Sequence, residues 1–270
     1  MKWIIILLGL MLTFTVNANE RLLLGVNTGV PAQDEQRDLT DKYKPLADYL
    51  SATLKRPVKL DVSQNISAAE KRLKKDAFDL FFGPPQVVAQ AIKSANYVPI
   101  ARFPGKIKAA FVVMESSGIK TMAAIRGKRL CLPDKESLAT HLAQARFRSN
   151  KIDPENYFSE VFHQRFQDST LNALKIGRVD IAVVTAGFAK KWMQENPGAR
   201  ILEETAEVPQ FTLAVSEDFG KADAMRVQNA LLNAANSADG RAMLEKLGRK
   251  DGFVATDLEE YGAVISLFGL

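Results

Sequence analysis

The chain has one cysteine, two histidines and, after its first dozen residues, no apolar run long enough for a membrane span. Each scarcity excludes something. A single cysteine, Cys131, cannot form an internal disulfide, and an exported chain of this size does not need one. It lies in Arg129-Leu130-Cys131-Leu132, an apolar stretch in which a thiol is expected to be buried and inert. His141 and His163 are far apart, so no metal cluster is expected. They are read as polar residues of a helix and of a strand end, with ligand contact as the alternative. There is no Gly-x-Ser-x-Gly turn, no His-Glu-x-x-His, no phosphate loop ending in Gly-Lys-Ser/Thr and no Gly-x-Gly-x-x-Gly. These absences argue against an enzyme and against a bound metal or cofactor.

Charge of one sign is also scarce. Lysine and arginine number 36 against 31 aspartates and glutamates, a formal net charge of +5. The signs interleave, as in Lys71, Arg72, Lys74 and Lys75 followed by Asp76 and Asp79, so they read as solvated faces. No basic stripe for nucleic acid is expected. The mild basic excess suits an anionic small molecule.

What is present begins at the N-terminus. Lys2 precedes the apolar run Ile4–Leu12, and Val16-Asn17-Ala18 places small or aliphatic residues before a cut at Asn19. This is the pattern of a secretory signal peptide, residues 1–18, with a core too short for a membrane helix. The mature chain is expected to be soluble and exported, periplasmic in a Gram-negative source.

Beyond it, short apolar runs alternate with helical spacings. Strands are expected at 22–26, 58–62, 78–82, 98–101, 109–114, 129–132, 161–162, 179–184, 200–202 and 211–215. Leu46, Leu50 and Leu54 share one helical face, and Ser67-Ala-Ala-Glu70 has the spacing of a capping box. Further helices follow Pro85, Ser137, Asp168 and Gly187, and the chain closes with helices near 222–236, 241–247 and 256–267. Such alternation implies α/β layers with mainly parallel sheets. One echo stands out: Phe78-Asp79-Leu80 and Val179-Asp180-Ile181 each open a strand that ends in a turn into a helix. Two similar halves around a cleft would produce it, as would chance.

In open α/β sheets ligands bind where strand ends meet helix starts. The turn Pro133–Ser137 is the best such place. A helix start offers free N–H groups and a positive dipole end, Lys135 adds charge, and Ser137 and Thr140 add hydroxyls. Equally, Ser137 or Asp134 could serve only as a helix cap.

Four segments then carry a family resemblance. They are Tyr43-Lys-Pro-Leu46-Ala-Asp-Tyr-Leu50-Ser before Pro57-Val58; Phe78-Asp-Leu-Phe-Phe-Gly-Pro84; Arg126-Gly-Lys-Arg-Leu130 through Asp134 to Ser137; and Gln167-Asp-Ser169 before Leu174-x-x-Gly177-x-Val179-Asp180. In this order the chain resembles the PhnD-like solute-binding proteins of ABC importers, the phosphate, phosphite and phosphonate group. The resemblance implies an α/β, two-lobed type II periplasmic-binding-protein clamshell with a hinge of crossing strands. Lobe 1 would be residues 19–109 plus 206–270, and lobe 2 residues 110–205, with the hinge in 109–114 and 205–211. It implies a monomeric receptor for a small anionic or zwitterionic ligand, delivered to a membrane ABC permease or, alternatively, presented to a membrane sensor kinase. The ligand contacts it suggests are Asn27, Thr28, Phe82, Gly83, Lys135, Ser137, Thr140, Asp168 and Thr185. Two departures bear on the ligand. The usual run of hydroxyls is reduced to Ser137 before Leu138 and Ala139, and Phe81 and Phe82 lack the common aromatic hydroxyl. Either phenylalanine could instead belong to the core. Asp168 could meet a ligand amine or cap its helix.

Overall fold

The computed structural model describes residues 21–29 and 36–270, so the cut expected after Ala18 lies outside the described residues. The strands are β1 (Leu22–Asn27), β2 (Val58–Ser63), β3 (Leu80–Gly83), β4 (Val98–Arg102), β5 (Lys106–Ile107), β6 (Ala109–Met114), β7 (Arg129–Leu132), β8 (Glu160–His163), β9 (Ile181–Thr185), β10 (Ala199–Glu204), β11 (Val208–Pro209), β12 (Thr212–Val215) and β13 (Val254–Ala255). The helices are α1 (Gln36–Leu54), α2 (Ile66–Leu73), α3 (Pro85–Ala95), α4 (Leu138–Ser149), α5 (Pro154–Tyr157), α6 (Gln167–Lys175), α7 (Ala186–Glu195), α8 (Lys221–Leu232), α9 (Ala238–Lys246) and α10 (Leu258–Phe268).

Two sheets organise the molecule. The first has the order β13-β4-β12-β3-β1-β2 and the second β10-β6-β9-β7-β8. Apart from β13, which has no counterpart in the second sheet, they match strand for strand. In each, a central strand (β1 or β7) lies parallel to its two neighbours. Beside these, a crossing strand (β12 or β6) runs antiparallel. The sheets are therefore mixed and not mainly parallel. β6 and β12 carry the chain from one sheet to the other, so each enters its sheet against the direction of the βαβ strands.

The echoed aspartates hold the same post in both halves. Asp79 Oδ2 accepts from Leu23 N at 2.7 Å, just before β3. Asp180 Oδ2 accepts from Arg129 N at 2.8 Å, just before β9. Each carboxylate thus satisfies a backbone N–H at the edge of the neighbouring parallel strand, a group that would otherwise lack a partner. The Arg129 guanidinium also bonds Asp180, and this, against a partial burial, holds the carboxyl below its ordinary range.

Between the sheets the chain crosses at β5 and β11, which pair antiparallel. Thr205 closes the crossing: its N donates to Ala109 O at 2.9 Å and its Oγ1 accepts from Ala109 N at 3.0 Å. A third connection comes from α10. Tyr261, Val264 and Phe268 share one apolar cluster with Val87 and Val88 of α3 and with Leu138, Leu142 and Phe147 of α4. Phe268 also packs on the His141 ring at 5.7 Å, and Arg148 Nη2 donates to Leu267 O at 3.0 Å. The segment that returns to the first sheet therefore also rests on the second half. Burial of His141, with Arg148 nearby, lowers its pKa.

Helix caps differ from expectation in two places. Asn65, not Ser67, caps α2, with its Oδ1 accepting from Ala68 N at 2.8 Å. Asp168 lies inside the first turn of α6 and accepts from Ser169 N; Phe166 takes the cap position. In both helices the turn begins a residue or two earlier than the sequence spacing indicates. Cys131 is fully buried, and burial pushes its thiol up to about 11, as expected of an inert core group.

Candidate functional site

The C-terminal ends of β1 and β7 face one another across the molecule. A cavity of about 250 Å³ lies there, lined from one side by Gly29, Gln64, Asn65 and Ile66 and from the other by Asp134, Glu136, Ser137 and Arg165. The backbone explains these positions. β1 ends at Asn27 and the chain turns at Gly29, where φ is +83° and glycine is favoured. β7 ends at Leu132, and Pro133 starts the turn that Ser137 closes by capping α4.

Three buried residues with unpaired polar atoms adjoin the lining without belonging to it: Asn27 bonds Gly29, Thr28 precedes Gly29, and Gln86 bonds Glu136. Asn27 is fully buried; its Oδ1 accepts from Gly29 N at 2.9 Å, and its Nδ2 has no partner. Thr28 Oγ1 is buried and unpaired. Gln86, 3% exposed in the first turn of α3, leaves its Oε1 unpaired while its Nε2 donates to Glu136 O at 3.3 Å. Each such buried group costs about 1–3 kcal/mol unless something satisfies it. Their concentration in the turns after β1 and β3 is what a binding site for a polar molecule requires.

The α4 turn is more self-contained than its sequence suggests. Ser137 is 1% exposed and Thr140 fully buried. Ser137 O–H donates to Thr140 Oγ1 at 3.1 Å, and Thr140 O–H donates to Pro133 O at 3.3 Å. Both hydroxyl protons are thus used within the turn, and Ser137 acts as a cap by accepting from Thr140 N at 3.3 Å. Asp134 Oδ1 accepts from Glu136 N at 2.8 Å. Glu136 then reaches across the cavity: its carboxylate accepts from Ser67 N at 3.2 Å and from the Ser67 hydroxyl. Burial, and then the Glu136 charge, raise the pKa of Glu70 one turn further along α2.

The remaining expected contacts separate. Phe82 is fully buried, with Tyr43, Phe103, Phe211 and Phe253 around it, so its ring belongs to the core of the first half. Gly83 is a packing position: a Cβ there would stand 2.7 Å from the Phe81 ring. Lys135 is exposed at the turn and does not line the cavity. Asp168 is also exposed and outside it. Thr185 is tied to one side chain, since its N and Oγ1 both donate to Gln167 Oε1, at 2.7 and 2.9 Å. It lines a second cavity, of about 490 Å³, beside β5, with Lys108, Lys190, Glu204, Phe211 and Arg249. There Lys190 and then Lys108 hold the Glu204 carboxyl below its ordinary range.

Sequence reasoning missed Gln64, Asn65, Gln86, Glu136 and Arg165. Glu136 was within the turn already singled out, and Gln86 directly follows the Pro84-Pro85 break, so both had a signal. Arg165 had one too, as a basic residue just after β8. Among the described residues no group of three or more histidines, cysteines, aspartates or glutamates is placed to hold a metal ion. Among them, too, no helix is long and apolar enough to cross a membrane.

Comparison with known proteins accords with this geometry. Solved structures sharing the fold include a binding protein component of an ABC phosphonate transporter from Pseudomonas aeruginosa. It is 14% identical, with a TM-score of 0.69, over 92% of this chain and 85% of that one. PhnD1 from Prochlorococcus marinus, in complex with methylphosphonate, is 17% identical with a TM-score of 0.71 over 93% and 97% of the two chains. XAC2383 from Xanthomonas citri, bound to ATP, is 16% identical with a TM-score of 0.76 over 92% and 96%. The architecture is the two-lobed clamshell of type II periplasmic binding proteins. A family model described as "ABC transporter, phosphonate, periplasmic substrate-binding protein" matches residues 28–261. With most of its length matched, this chain belongs to the family of periplasmic substrate-binding proteins of phosphonate ABC transporters.

Proposed function

We propose that the cavity between the ends of β1 and β7 receives a small anionic or zwitterionic molecule, which the protein hands to an ABC permease. The observation that carries this is the set of buried, unpaired groups on residues that precede or bond the lining residues Gly29 and Glu136, namely Asn27 Nδ2, Thr28 Oγ1 and Gln86 Oε1. Arg165 supplies a guanidinium at the rim, and the volume of about 250 Å³ favours a compact ligand. Relatives of this fold carry ligands as different as methylphosphonate and ATP, so the fold alone does not choose. Binding is non-covalent, and the unit is a monomer exported through a signal peptide cut after Ala18.

In this reading lobe 1 comprises residues 19–109 and 206–270, and lobe 2 residues 110–205. The paired segments β5 and β11 form the hinge, and α10 is a contact that closure must slide past or carry along. Ligand favours the closed form because only that form brings both sets of groups to it.

Mass spectrometry of small molecules released on denaturing freshly purified protein tests the ligand class. One oxyanion-bearing compound per chain is expected. Recovery of only neutral apolar compounds would refute it. Intact mass of periplasmic protein should correspond to a chain starting at Asn19.

A further inference from the structure

We propose that Glu136 determines which charge the cleft accepts, by keeping a fixed negative group across it and so disfavouring doubly charged oxyanions. The inference rests on the cleft assignment made under Proposed function. Three observations carry it. First, the cavity is lined by two carboxylates, Asp134 and Glu136, and one guanidinium, Arg165, so its walls are not electropositive. Second, Glu136 is held in place from both sides. Ser67 N and the Ser67 hydroxyl donate to its carboxylate, Gln86 Nε2 donates to its carbonyl, and Asp134 Oδ1 receives its N–H. The carboxylate is thus held by two bonds from Ser67, and its backbone is fixed by Gln86 and Asp134, so the charge stays at the cavity. Third, the donors nearest Glu136 are already used: the Ser67 donors on Glu136, and the Ser137 and Thr140 hydroxyls inside the α4 turn.

The Glu136 carboxylate therefore stands where Ser67 at the start of α2 would otherwise receive a ligand oxyanion. Glu70 has a raised pKa chiefly through burial, with the Glu136 charge adding to it. A single ligand charge can be met by Arg165 and the unpaired Asn27 amide. A second charge has only the Thr28 hydroxyl left among the unpaired groups named above and meets the Glu136 carboxylate at short range, where poor screening makes repulsion strong.

The test uses two probes of one shape at a single mildly alkaline pH, methylphosphonate (doubly charged) and methanesulfonate (singly charged). Affinities are measured by calorimetry for wild type, Glu136→Gln and Ser67→Ala. Glu136→Gln keeps an acceptor for Ser67 and removes only the charge. It should tighten methylphosphonate by about tenfold or more and methanesulfonate by less, since repulsion scales with ligand charge. Ser67→Ala, which weakens the link across the cleft but keeps the charge, should not give that gain. An unchanged or weaker methylphosphonate affinity in Glu136→Gln would overturn the proposal. So would an equal gain for both probes, or the same gain in Ser67→Ala; the cleft assignment would survive all three results. Binding of neither probe by any of the three proteins would overturn the cleft assignment and this inference together.

Discussion

Replacing Glu260 with glutamine tests how α10 is fastened. Glu260 accepts from Arg102 Nε at 2.8 Å, from Thr256 Oγ1 at 2.7 Å and from Lys106 Nζ. Burial alone would raise its pKa. The bonds from Arg102, Lys106 and Thr256 outweigh burial and hold it at about 2, against 4.5 ordinarily. A folded-state pKa below the unfolded one means that the ionised group stabilises the fold above the unfolded value. That stabilisation is lost as pH falls from 4.5 towards 2. The difference corresponds to about 3 kcal/mol, an upper figure because the side chain is 23% exposed. Urea unfolding of wild type and Glu260→Gln should therefore differ by up to about 3 kcal/mol at pH 7 and by only about 1 kcal/mol at pH 3. An equal gap at both pH values, or a more stable variant, would refute the assignment of this stability to the ionised carboxylate.

Three further outcomes follow from the packing and the caps. Ser137→Ala removes the α4 cap and should cost about 1 kcal/mol in thermal or urea unfolding. Gly83→Ala forces a methyl group to 2.7 Å from the Phe81 ring in a fully buried setting, and should destabilise by about 1–3 kcal/mol in the same assay. Asp168→Asn changes an exposed group outside the cavity and should bind ligand as wild type does in calorimetry; a large loss would place Asp168 in the closed cleft after all.

The fold was largely legible because its signals are local. Apolar runs marked the strands, and the four matched segments indicated the clamshell. The Asp79 and Asp180 echo proved to be structural, since both carboxylates bond the start of the neighbouring parallel strand. The antiparallel entry of β6 and β12 was not legible, because strand direction depends on where a long-range crossing places the chain. α1 was seen only from Leu46 onwards: Pro45, which has no N–H for the ladder, hid the turns before it. Of the candidate cavity, the Pro133–Ser137 turn was legible but not its bonding. Ser137 lies at the cavity, yet its proton is spent within its own turn. Phe82 sits one strand position before the turn into α3 but faces four other aromatic rings. Glu136 was passed over because its importance comes from Ser67, 69 positions away in sequence.

The measurement closest to the central claim is a calorimetric titration of wild type and Asn27→Leu with methanesulfonate and methylphosphonate. Asn27→Leu removes the buried, unpaired Nδ2, together with the Oδ1 bond to the lining residue Gly29, while keeping side-chain bulk. Loss of one directed donor to an anion should weaken binding by about tenfold or more, with one site per chain in wild type. Equal affinity in variant and wild type would contradict the account and move the ligand away from the ends of β1 and β7.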